Sequence, residues 1–143
     1  VRDNTPDPYL GCNFLVEVDG LVVAGFKECS GLSAEVEVET YKEGGVDYTE
    51  HKLPKGVRFN NLVLKRGVTD STILWDWFAS VAAGLVIQHV LFIVLRGPDG
   101  AEVKRWSFIG AYPVKWTGPD LNAESSAVAL ESIEFVHKGF MEF

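Results

Sequence analysis

The chain has 143 residues, a length typical of one domain, and 47% of them are apolar, enough for a core without disulfide or metal staples. Its formal net charge of -7 argues against a phosphate-binding surface, which needs clustered Lys and Arg. Two cysteines without CxxC spacing exclude a disulfide scaffold, and both are expected as reduced, structural thiols.

The start of the chain, Val1 to Pro6, has no apolar stretch, so no signal peptide is expected. The longest aliphatic and aromatic run, Val90 to Leu95, is far short of a membrane span. The expectation is a protein made in the cytoplasm with no membrane anchor. Asn13 to Val18 and Leu21 to Glu28 flank Asp19-Gly20, a two-residue hairpin signal. Pairing Val18 with Leu21 and extending that hairpin sets Cys12 opposite Lys27, with Cys29 diagonal to it. Ala34 to Thr40 alternates strictly, with Ala34, Val36 and Val38 on one face and Glu35, Glu37 and Glu39 on the other. The apolar three are expected to turn to the core.

From Lys42 to Gly56 the alternation dissolves into Gly44-Gly45, mixed charges and Pro54-Lys55-Gly56. This reads as an extended loop at about 42–56, too long for a tight turn. Phe59 to Lys65 reads as a strand with a long flat edge in need of a partner. A helix follows, capped by Thr69 or Asp70 and ended by Gly84, with Ile73, Leu74, Trp77, Phe78, Val81 and Ala82 as its apolar stripe. His89 to Arg96 reads as a strand buried on both faces, and Gly97-Pro98-Asp99-Gly100 as a turn. Two separate strands, Glu102 to Ile109 and Tyr112 to Trp116, and a final one, Ala127 to His137, complete the chain. In the last, Ile133 and Phe135 should point inward and Glu134 outward. Phe140, Met141 and Phe143 form an apolar end expected to pack on a neighbour.

The layout is mainly β: a barrel or sandwich of about seven strands with one α-helix, a single domain over 1–143. Trp106, Phe108, Trp116 and Phe135 suffice to fill its interior. His51, His89 and His137 are scattered, without a metal-binding spacing, and no nucleophile elbow or phosphate loop is present. Glu35, Glu37 and Glu39 share one strand rather than facing each other across a substrate, so they read as a wet acidic face and not as a glycosidase pair. Catalytic, metal and cofactor sites are all expected to be absent.

Several blocks carry a resemblance over nearly the whole chain. They include Phe14-Leu15-Val16-Glu17-Val18-Asp19-Gly20, Gly25-Phe26-Lys27-Glu28-Cys29-Ser30-Gly31-Leu32, Tyr41-Lys42-Glu43-Gly44-Gly45 and Leu64-Lys65-Arg66-Gly67-Val68-Thr69. Ala111 to Pro119, with its Lys115-Trp116-Thr117-Gly118-Pro119, and Glu131 to Gly139 complete the order. In these the chain resembles the phage tail tube protein family, the inner tube subunits of contractile phage tails and extracellular contractile injection systems. The resemblance implies hexameric rings stacked as a tube, driven through a target envelope. Implied partners are further copies of the chain, a sheath protein, baseplate and tube-terminating proteins, and a cargo protein or DNA held in the lumen without specific binding. The implied location is a phage tail or tail-like particle.

Within that reading Lys42, Glu43, Gly44, Gly45, Tyr48, Leu53 and Pro54 are candidate contacts to a neighbouring subunit or ring, and Glu35, Glu37 and Glu39 candidate lumen residues. Competing readings are a ring-forming secreted tube protein of a type VI secretion apparatus, a small barrel binding module, and an enzyme.

Overall fold

A computed structural model describes residues 13–23, 26–42 and 50–143. Its described elements are ten strands and one helix: β1 (Asn13–Val18), β2 (Leu21–Val23), β3 (Phe26–Ser30), β4 (Ala34–Lys42), β5 (Glu50–Phe59), β6 (Leu62–Gly67), α1 (Ile73–Ala82), β7 (His89–Arg96), β8 (Glu102–Thr117), β9 (Leu130–Val136) and β10 (Phe140–Glu142).

β1 and β2 form the expected hairpin. Val18 pairs with Leu21, and Asp19 and Gly20 both adopt positive φ, the conformation a two-residue turn needs to follow strand twist. The hairpin does not extend as expected. β3 leaves β1 and pairs antiparallel with β6, so Lys27 lies on another edge; Cys12 is outside the described residues.

The strands run β2-β1-β7-β8-β9-β6-β3 in one antiparallel sheet, with β10 also on β8. The sheet curls until β3 approaches β1, but no ladder joins them, so the barrel stays open. β8 explains the curl. Where two strands were expected there is one of sixteen residues, bent at Gly110. Gly110 sits at φ 61°, which glycine adopts without steric cost, so the ladder turns a corner without ending. β8 pairs with β7 up to Ala111, just past the bend, and with β9 from Tyr112 onward.

The core lies inside this curl. Val16, Leu62, Leu64, Leu91, Ile93, Phe108, Ile133 and Phe135 are buried there, and Trp106 and Trp116 pack against them. Ile133 and Phe135 point inward, as their alternation requires. Glu134 faces the other way and accepts a hydrogen bond from Asn61 Nδ2 at 3.1 Å. α1 closes one end. Leu74 and Trp77 are its buried residues, while Ile73, expected in the stripe, is exposed. Trp77 Nε1 donates to the Ile87 carbonyl at 2.8 Å, and its ring meets Phe135. The N-cap is Thr72 rather than Thr69 or Asp70, and Gly84 ends the helix as expected.

Two edge expectations are corrected. Asn60-Asn61 splits Phe59 to Lys65 into the end of β5 and the start of β6, and β6 is no edge: β9 and β3 flank it. Phe140 packs on its own chain's core, against Phe108; of the apolar end, Met141 and Phe143 are exposed.

Candidate assembly interface

Of the span expected as a loop at 42–56, the described residues, 42 and 50–56, are strand. β4 runs to Lys42 and β5 begins at Glu50, so the two form a ribbon of nine ladder pairs. The expected contact residues Leu53 and Pro54 lie in β5, and Lys42 closes β4. Glu43, Gly44, Gly45 and Tyr48 lie outside the described residues. Pro54 and Gly56 disguised β5 as loop. The ladder accommodates them by a bulge: Glu37 pairs with Gly56 and Val38 with Pro54, which leaves Lys55 as the extra residue. Proline is tolerated in a strand at an edge or a bulge, and here both conditions hold.

The ribbon has two unlike faces. Ala34, Val36 and Val38 stand with Phe59, Val57 and Pro54 across the ladder; Glu35, Glu37 and Glu39 stand with Arg58, Gly56 and Leu53. The apolar face is not turned to the chain's own core. Val36 is 55% exposed, Val38 55% and Val57 57%. Among the described elements, β4 and β5 pack along their length only on each other. The three glutamates are exposed too, so the subunit alone leaves both faces wet.

The ribbon is attached at its root. Gly31, at φ 91°, lies so close to the Asn61 carbonyl that a Cβ there would overlap it. On the other side Phe59 touches Phe140 and the His137 ring, at 5.4 and 5.8 Å between centroids.

The curled sheet offers further unpaired surface. β2 and β3 end the strand path, each with a neighbour on one side only, and Leu21 and Val22 in β2 are exposed. Between β3 and β1 an open groove of ≈ 510 Å³ is lined by Phe14, Cys29, Leu32, Ile93, Leu95 and Trp106, among others. Burial pushes the Cys29 thiol up to about 11, so it stays protonated at neutral pH. Under α1 lies a cavity of ≈ 20 Å³, edged by the Arg66–Glu131 ion pair at 2.6 Å. That volume suits about one water molecule and no ligand. Among the described residues no three His, Cys, Asp or Glu side chains converge to hold a metal, and no helix is long and apolar enough to cross a membrane.

On the outer surface near β1, Arg105 bridges Glu102 at 2.8 Å and Glu17 at 2.9 Å while lying over the Phe92 ring. These bonds, to Glu102 first and Glu17 second, hold the guanidinium above its usual range, and the Arg105 hydrogen bond holds Glu102 below the usual carboxylate range.

The sequence profile of the family described as T4-like virus tail tube protein gp19 matches residues 10–141. Among solved structures, a chain of the anti-feeding prophage baseplate is 26% identical, with TM-score 0.82, over 99% of this chain and 97% of that one. A chain of the extracellular contractile injection system PVC, from its sheath-tube complex in the extended state, is 26% identical, with TM-score 0.83, over 98% of this chain and 93% of that one. Hcp1 from Flavobacterium johnsoniae shares the fold at 15% identity and TM-score 0.60, over 90% of this chain and 93% of its own. No curated protein sequence matches the chain.

Proposed function

The chain belongs to the T4-like virus tail tube protein family, and from that premise we propose that it is the repeating, non-catalytic subunit of the inner tube of a contractile tail or injection particle. The subunits form hexameric rings that stack into a conduit. The observation that carries this reading is the ribbon: a two-stranded sheet with an exposed apolar face and free edges, on a chain whose own core is complete without it. An isolated two-stranded ribbon is marginal in water, and unpaired edges invite association. Neighbouring copies relieve both. Head-to-tail contacts that do not close on themselves build a filament. Solved structures in which similar chains occur include a sheath-tube complex, a baseplate and a tube-terminating cap, which supports a sheath protein, a baseplate and a cap as partners here. The chain is made in the cytoplasm and assembled into the particle as one domain.

In this arrangement the Ala34, Val36 and Val38 face packs on a neighbour, with Lys42, Leu53 and Pro54 towards the next subunit or ring. Glu35, Glu37 and Glu39 line the bore, each repeated six times. Rings of carboxylate repel acidic cargo and phosphate, so a conduit so lined releases what it holds.

One preparation tests both parts. Glu37→Cys protein is concentrated, imaged by negative stain and labelled with a bulky and a small thiol reagent before and after assembly. Six-fold rings or tubes are expected, and assembly should slow the bulky reagent far more than the small one. A monomer at high concentration overturns the tube reading. Tubes labelled equally by the bulky reagent before and after assembly put these glutamates outside the bore.

A further inference from the structure

We propose that copies of this chain meet head to tail through a knob and a hole: the exposed turn between α1 and β7, Leu85 to Ile87, of one copy seats in the groove between β1 and β3 of the next. That copies assemble at all rests on the function proposed above; which two surfaces meet is argued from the subunit alone.

The knob is a fixed apolar projection. Leu85, Val86 and Ile87 follow one another and are 60%, 49% and 42% exposed. A contiguous apolar patch marks a contact site, where single exposed side chains do not. The turn is held from beneath, since the Leu85 amide donates to the Ser80 carbonyl at 2.9 Å and Trp77 Nε1 to the Ile87 carbonyl at 2.8 Å. Little freedom is left to lose on binding. The β1–β2 turn stands beside it. There the Asp19 amide donates to the Val90 carbonyl at 3.2 Å, the Asp19 carboxylate pairs with His89, and Leu21 is 74% exposed.

The hole lies at the other end of the same strands. β7 runs eight residues from His89 to Arg96, a span of roughly 24 Å. At its far end Phe14 pairs with Leu95 and Asn13 with Arg96. There the groove of ≈ 510 Å³ exposes Phe14, Leu32, Leu95 and Trp106, and no described segment of the chain fills it. Knob and hole sit at opposite ends of one subunit, so neither can satisfy the other within it. Matching them between copies gives a heterologous contact, which repeats from copy to copy.

Charge selects the same match. Residues 67–95 contain no Lys or Arg, and neither do residues 13–23, so the Asp19 carboxylate is the exposed charge beside the knob. Around the groove the free charge is positive. Lys27 is exposed and has no ion-pair partner among the described residues, and Arg96 donates from Nε to the neutral Asn13 side chain at 3.0 Å. Glu28, beside Lys27, is already paired with Lys65 at 3.7 Å. An acidic flank on the knob thus meets a cationic rim on the hole, while two knobs or two holes repel.

The test uses full-length chains that all carry Val38→Asp, which wets the apolar face of the ribbon and removes any contact made through it. One chain adds Val86→Lys, which spoils the knob and keeps the groove. The other adds Leu32→Asp, which spoils the groove and keeps the knob. All three positions are exposed in the subunit, and an unchanged Tm checks that each variant is folded. Each variant alone should sediment as a monomer. Mixed, they should form a dimer and nothing longer, because one knob and one groove remain. With ¹⁵N in the Val86→Lys chain, the amides of Phe14, Lys27 and Leu95 should shift when the Leu32→Asp chain is added. With ¹⁵N in the Leu32→Asp chain, those of Leu85 to Gln88 should shift instead. Lys27→Glu, on an exposed side chain, is a second way to spoil the groove; added to the Val86→Lys chain it should weaken the dimer about tenfold.

Folded variants that give no dimer when mixed, or that shift at other surfaces, overturn the contact; tubes from the wild-type chain would then leave the tube reading standing. Full-length tubes from a chain carrying Val86→Lys alone overturn the contact as well. A dimer in the mixture, beside a wild-type chain that builds neither rings nor tubes, upholds the contact and overturns the tube reading.

Discussion

In the curled sheet, Leu62, Leu64, Ile133 and Phe135 recur at every second position of their strands and are at most 3% exposed; in the ribbon, Val36 and Val38 recur at the same spacing, with Val57 across the ladder, and all three are more than half exposed. The two regions use the same period of two and the same β-branched and aromatic residues. They differ in what stands opposite the apolar face. β6 and β9 have each other as neighbours, α1 over one end and Phe108 across the curl, whereas among the described elements β4 and β5 have only each other. Alternation therefore tells which side of a strand is built to be dry, and the tertiary topology tells whether the strand's own chain dries it.

The largest effect separating the regions is a truncation on each side. Phe135→Ala removes a fully buried ring that Trp77 packs against and should cost about 3–5 kcal/mol in denaturant unfolding. Val57→Ala, a truncation in the ribbon, should change subunit stability by no more than about 0.5 kcal/mol. Equal losses would mean that the ribbon is docked on its own subunit and that the contrast between the regions is false.

Next in size is a charge rather than a ring. Arg66 is 4% exposed, donates from Nε to Glu131 at 2.6 Å and lies over Phe26, while Trp116 Nε1 donates to the same carboxylate at 3.3 Å. Arg66→Met keeps the bulk but strands Glu131, and should cost about 3 kcal/mol by the same measurement. Adding Glu131→Leu should recover part of that loss, because the unpaired carboxylate is then gone. If the double variant is no better than the single one, packing over Phe26 rather than pairing holds this end of the sheet.

The sequence displays each strand's faces and hides its partners. The β1–β2 hairpin is legible because Asp19-Gly20 dictates both turn and register, and β7 because an apolar run of that length has few other uses. Nothing local shows that β3 pairs with β6, since that ladder joins residues far apart in the chain. β8 looks like two strands because Gly110 has the same letter whether it ends a strand or bends one. β5 looks like a loop because Pro54 and Gly56 are penalised in an ordinary strand, and the bulge at Lys55 breaks the period that would have revealed it. The acidic and apolar faces of β4 were readable from alternation alone. That no described element covers its valines was not, because cover is a property of the fold. His137 looked like a scattered histidine for the same reason: the Asn60 carbonyl its Nε2 meets lies far away in the chain.

The smallest effect sharpens the electrostatic side of the curled sheet, where Arg105 ties β8 to β1 through Glu17 and carries Glu102 with it. The guanidinium hydrogen bond lowers the Glu102 pKa in the folded chain below its value in the unfolded one. As pH falls, the unfolded chain takes up that proton first. The stabilising contribution is therefore fully present above the unfolded carboxylate's pKa, and it drains away as pH drops through the folded value. Glu102→Gln removes the titrating group and leaves Glu17 to hold Arg105. The Tm of wild type should exceed that of the variant slightly near neutral pH, and the gap should close in acid. Because the pair is open to solvent, added salt should shrink the gap as well. A gap that persists unchanged at low pH would assign the difference to packing or to the amide itself, and the Arg105 bridge to Glu17 alone would then join β1 to β8.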